Sequence, residues 1–136
     1  MSFYSLIFPS QNRSFPLMRW LKITIRTMHL TGIAGMSAMF FSTPVNYDYY
    51  PFAILLYSSG LLLMTLEIWS NGVWLIQLRG IAIYLKLIIL SFLYICPGHG
   101  TLMMTLLIVI SGIISHAPAD VRYYSIVHGR RISSLS

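Results

Sequence analysis

Four stretches of the chain are almost continuously apolar, at about residues 23–42, 52–69, 80–96 and 102–117. The runs are unbroken and lack the two-residue alternation of a barrel strand, so they predict helices. Each is close to the roughly 17–25 residues that cross about 30 Å of hydrocarbon as a helix. The third could begin earlier, near Trp74. Turn formers separate the runs: "TPVNYDYYP" joins the first two, "SNG" follows the second, and "PGHG" joins the last two. Such short connections favour antiparallel neighbours. No internal repeat or low-complexity segment interrupts the pattern. The expected fold is all-α: a polytopic membrane protein with an antiparallel four-transmembrane-helix bundle over residues 19–118. An N-terminal segment, 1–18, and a basic C-terminal tail, 119–136, flank it.

Composition sharpens the membrane reading. Of 136 residues, 57% are hydrophobic and only 9% are charged, where a soluble domain has about 25% charged residues. The net charge of +6, from 9 Lys+Arg against 3 Asp+Glu, would suggest nucleic acid in a soluble protein. Here the cations flank apolar runs, which fits anionic headgroups and excludes nucleic acid as the expected partner. The single cysteine, Cys96, rules out a disulfide within the chain, and the absence of CxxCH rules out covalent c-type haem on motif grounds. The opening "MSFYSLIFPSQNRSFP" lacks the basic start, long apolar core and small-residue cleavage pattern of a signal peptide. It is expected to stay on the mature protein, with the first span acting as an uncleaved anchor.

The cations also orient the bundle. Arg13, Arg19, Lys22 and Arg26 precede or open the first span, Arg79 lies by the middle connection, and Arg122, Arg130 and Arg131 follow the fourth. The other two connections carry no Lys or Arg, and Lys86 lies within a span. The positive-inside rule therefore places both termini in the cytoplasm. Trp20, Trp69 and Trp74 are expected in the aromatic belt on that side, and Tyr47, Tyr49 and Tyr50 in the belt opposite.

A charge in hydrocarbon costs about 2.5–3.5 kcal/mol on insertion scales, so polar residues inside the spans need a reason. At about 1.5 Å of rise per residue, His29 and Lys86 lie roughly 10 Å from the cytoplasmic edge. Arg26 is shallower, Glu67 lies within about a turn of that edge, and His116 is almost at it. Lys22, Arg26 and His29 follow i, i+4, i+7 and share a helix face. Small residues in "TGIAGMSA" and "SSG", with Ser111, Gly112 and Ser115, mark expected close packing. The bland readings are that Lys22 and Arg26 snorkel to headgroups and that Glu67 forms a structural ion pair with Arg79, Lys86 or Arg26. Cys96 and His99 supply only two potential ligands, too few for a zinc site, so no metal site is expected. His128 is expected to be solvated.

Two functional classes fit. Basic groups and histidines between membrane helices suit haem b or a porphyrin, which makes His29, Lys86, His116 and Arg26 the candidate cofactor-binding residues of a redox or electron-transfer component. The competing class is a non-catalytic accessory or anchoring subunit of a larger membrane complex, since the loops leave little room for a substrate domain. Other membrane subunits or a second copy of the chain are then the expected partners besides the bilayer. Transport is a third option, but no broken-helix pair supports it. The compact topology suggests a bacterial inner membrane.

"RTMHLTGIAGM" and "GLLLMTLE…WLIQLRGIAIYLKLIIL" resemble the copper-resistance-D-like and HemJ-like membrane families over about residues 19–95. In the HemJ-like group the resemblance implies porphyrin chemistry, with His29 and Lys86 as the matching positions. The fourth span and "SHAPADVRYYSIVHGRR" lie outside it. That tail is expected to form a short interfacial segment after Pro118, ended by Gly129.

Overall fold

A computed structural model describes residues 7–9, 11–41 and 48–132. The expected connection between the first two spans, Tyr47 included, falls largely outside them, as do both extreme ends. The chain is mostly helical, as the apolar runs predict, and divides into two compact units, one of which is Arg13–Ser70.

That unit is a pair of helices, α1 (Met18–Phe41) and α2 (Tyr50–Ser70). α1 begins a turn before the expected span. Its entry is a type II turn: Pro16 precedes Leu17, whose φ is 67°, and the Met18 N–H donates to the Phe15 carbonyl at 3.2 Å. The two helices run antiparallel, because Gly35 meets Phe52, Gly32 meets Leu56 and Lys22 meets Glu67. A Cβ on Gly32 would stand 2.7 Å from the Leu56 backbone nitrogen, so the small residues of "TGIAG" do set the helix approach. At the other end, Arg13 N–H donates to the Ser70 carbonyl and Ser70 Oγ donates to the Arg13 carbonyl, both at 2.9 Å. Phe15 meets Trp69 edge-on there, with ring centroids 5.9 Å apart.

The second unit comprises the described residues up to 12 and those from 71 onward. Asn71 begins it by accepting the Val73 N–H at 3.0 Å and donating to Asn12 Oδ1 at 2.7 Å. A 3₁₀ turn over Gly72–Ile76 leads into α3 (Leu78–Ile95), a second 3₁₀ turn over Pro97–His99, and α4 (Gly100–His116). Trp74, expected in the interfacial belt, is instead buried in the first of these turns, while Trp20 and Trp69 are exposed. Gly112 packs against nothing: it is exposed, with open space where a Cβ would be.

The tail differs from the expected single segment. A helical turn, α5 (Ala119–Arg122), is followed by an antiparallel hairpin of β1 (Tyr124–Ser125) and β2 (Arg130–Arg131). Gly129, at φ 61°, shapes the hairpin turn and does not end a helix. Ser125 also bridges to Gln77, which anchors the hairpin beside the start of α3.

Few apolar side chains are buried. Leu30, Ile54, Leu61, Ile88, Leu102 and Ile113 are each more than half exposed. Hydroxyls among them are satisfied internally: Thr24, Thr27, Thr31, Thr65, Ser91 and Thr105 each donate to the carbonyl four residues back. Among the described residues, α2 is long and apolar enough to cross a membrane, and α4 is apolar but shorter.

Candidate functional site

In the first unit, the polar residues of α1 close onto α2. Glu67 Oε1 lies 3.0 Å from Lys22 Nζ and 3.6 Å from Arg26 Nη2. The i, i+4 spacing brings both cations to one carboxylate. Lys22 and Glu67 are mostly shielded while Arg26 remains largely exposed, so the Lys22 bond is the stronger of the two. One turn deeper, His29 Nδ1 lies 3.1 Å from both the Leu56 carbonyl and Ser59 Oγ. A carbonyl only accepts, and the Ser59 hydroxyl proton is already directed at the Leu55 carbonyl. Nδ1 therefore carries a proton and donates. Gly60 admits the ring: a Cβ there would stand 3.0 Å from His29 Cε1.

An open groove of about 680 Å³ runs beside the start of α1. It is lined by the apolar Phe15, Leu17, Met18 and Ile23 and by the basic Arg19, Lys22 and Arg26.

In the second unit, Lys86 Nζ donates to Ser111 Oγ at 3.3 Å, joining α3 to α4. Ser111 thus has the interhelical role that its small size suggested. His116 is exposed at the last residue of α4, and His99 and Cys96 are exposed in the turn between the two helices. Among the described residues, no group of three or more His, Cys, Asp or Glu side chains could hold a metal ion.

The candidate cofactor residues are divided: His29 and Arg26 belong to the first unit, Lys86 and His116 to the second. Glu67 and Arg79, expected as an ion pair, are divided in the same way. Arg79 donates from Nε to Gln77 Oε1 at 2.7 Å and places its guanidinium 4.6 Å from the Tyr123 ring centroid.

Gln77, Tyr123 and Ser125 are polar residues that sequence reasoning passed over. Gln77 is 2% exposed and donates to the Ile132 carbonyl at 2.8 Å. Ser125, fully buried, meets His128 Nδ1 at 3.1 Å, so this histidine is exposed yet tethered. A lone glutamine in "WLIQLRG" carries no periodic signal. Besides Arg79, its partners Ser125 and Ile132 lie 48 and 55 residues away, across the whole of α3 and α4.

No protein-family model, curated protein or solved structure matches the chain.

Proposed function

We propose that the chain is an integral membrane protein of four antiparallel spans with cytoplasmic termini, and that it serves as a small, non-catalytic accessory or anchoring subunit of a larger membrane complex. The observation that carries this reading is the destination of the polar side chains. Glu67 meets Lys22 and Arg26, His29 meets Leu56 and Ser59, and Lys86 meets Ser111. Each bond joins neighbouring helices of one unit, so these groups are spent on helix association. The remaining helix surface is apolar and exposed, which suits lipid and the helices of a partner. Its hydroxyls return to their own backbone, as a hydrocarbon surrounding requires. The basic residues at the α1 entry and the tail mark the cytoplasmic side, and a bacterial inner membrane fits this compact topology.

The test is isolation of tagged protein from its native membrane in mild detergent. Stoichiometric co-purification of larger membrane chains supports the subunit reading. Recovery of the chain alone at full yield across several mild detergents contradicts it.

A second reading, haem b or porphyrin binding, is favoured by one detail. The Nδ1–H bond of His29 to a backbone carbonyl is the arrangement that orients an imidazole for ligation through Nε2. Against it, Glu67 already engages Lys22 at 3.0 Å and lies 3.6 Å from Arg26, so it competes with a propionate for both cations. A Soret band lost in His29→Ala would establish this reading, and a colourless preparation yielding no porphyrin on extraction would end it.

A further inference from the structure

We propose that Lys86 is the contact point for a carboxylate on a membrane helix of a different protein; the inference rests on the subunit reading above and names the chemistry of the partner. Lys86 stands midway along the 18-residue α3. At about 1.5 Å per residue, roughly 12 Å of helix separates it from either end. The ammonium does not turn toward an end, as that of a snorkelling lysine does. It is directed sideways, to Ser111 Oγ on α4 at 3.3 Å.

One neutral hydroxyl is little for a cation at that depth. An ammonium has three N–H groups, and the Ser111 bond takes one of them. A charged side chain within a membrane ordinarily pairs with an opposite charge. The chain has three acidic residues, Asp48, Glu67 and Asp120. Glu67 lies against Lys22 and Arg26, Asp120 against Arg131, and Asp48 accepts the Tyr50 N–H. Among the described residues, none of the three forms an ion pair with Lys86. α3 and α4 themselves contain no Asp or Glu. An anionic partner for Lys86 therefore has to come from outside the chain.

A second copy does not supply it. Asp48 precedes α2, Asp120 follows α4, and Glu67 is in the last turn of α2. None lies midway along a span, so a homodimer leaves the ammonium among apolar side chains. A helix of another protein, with Asp or Glu near its own midpoint, brings the charge to the right depth.

The surface beside Lys86 is open to such a helix. Lys86 is half-buried, and Leu85, Leu87 and Ile88 next to it are exposed. On α4, Gly112 follows Ser111, is exposed and has open space where a Cβ would be. A backbone can come close there, beside the Lys86–Ser111 contact, as small residues allow between membrane helices. The apolar side chains supply packing and the ammonium fixes register.

The test uses the full-length chain in phosphatidylcholine vesicles, with two synthetic membrane peptides as probes. Each is an oligoleucine helix of about 20 residues with lysine ends, long enough to span. One has Glu at its centre and the other Gln. Association is read by energy transfer between a label on Cys96 and one on the peptide. The Glu peptide should bind the wild type about tenfold more tightly than the Gln peptide, at the low end of measured couplings between close charge pairs. Lys86→Gln keeps a donor for Ser111 and should abolish the difference. Lys86→Arg should keep most of it, and Lys22→Gln, an equal change of charge in the other helix pair, should leave it intact. Equal affinity for the two peptides, or a preference that survives Lys86→Gln, overturns the proposal. So does a partner recovered from the native membrane whose spans hold no Asp or Glu. The two levels separate cleanly. Recovery of the wild type alone from its native membrane overturns the subunit reading, whereas equal peptide binding by a chain that does co-purify with a partner overturns this inference alone.

Discussion

His29 lies against Gly60, close enough that a Cβ on residue 60 would stand 3.0 Å from the imidazole Cε1. The glycine lets the ring reach across to the carbonyl of Leu56 and the hydroxyl of Ser59. A bulkier residue must push the ring away and break a half-buried polar contact. Gly60→Val should therefore destabilise the protein by about 1–3 kcal/mol, a typical cost of overpacking. Thermal unfolding in detergent measures this. Stability within error of the wild type would mean that His29 does not hold α1 to α2.

Glu67 faces two cations, so its removal should cost more than the loss of either one. Glu67→Gln leaves Lys22 in a mostly shielded position without its charge partner, and a loss of about 1–3 kcal/mol is expected. Lys22→Met in the Glu67→Gln background should restore part of the loss, because the stranded cation is then gone. Chemical denaturation of the single and double variants checks the coupling. Additive losses would contradict it.

Leu17 adopts a left-handed backbone at φ 67° and is 73% exposed. The third position of a type II turn suits glycine, and a leucine there carries a steric cost of roughly 1–2 kcal/mol. Little packing is lost on truncation. Leu17→Gly should leave stability unchanged or raise it by up to about 1 kcal/mol, after the added chain entropy of glycine is subtracted. A clear drop in melting temperature would show that the Leu17 side chain makes contacts that its exposure does not suggest.

The helices were legible because continuous apolar runs, bounded by Pro, Gly and Asn, leave few alternatives. The partners of Glu67 were legible only in part: Arg26 was one of three cations the sequence offered it, beside Arg79 and Lys86, whereas Lys22, which lies closer at 3.0 Å, was expected to turn to headgroups. The burial of Gln77 was not legible, because Ser125 and Ile132, which bind it, come from the far side of a helical pair. Tyr123 was hidden for a related reason. "DVRYYSIVHGRR" reads as a basic tail until Gly129 turns it back on itself, and only then do Arg122 and Arg131 share a ring. Trp74 misled because tryptophan next to an apolar run ordinarily marks an interface, whereas the 3₁₀ turn over Gly72–Ile76 folds it inward.

Membrane topology is the claim on which the rest depends, and Cys96 makes it directly measurable. It is the single cysteine of the chain and is exposed in the connection between α3 and α4. In intact cells or sealed right-side-out vesicles, a membrane-impermeant maleimide should label Cys96. In a Cys96→Ser, His128→Cys double variant, the same reagent should label only inverted vesicles, because the proposed orientation puts the hairpin turn on the cytoplasmic side. Labelling of both positions from the same face would contradict the spanning arrangement of α3 and α4 and the orientation assigned to the chain.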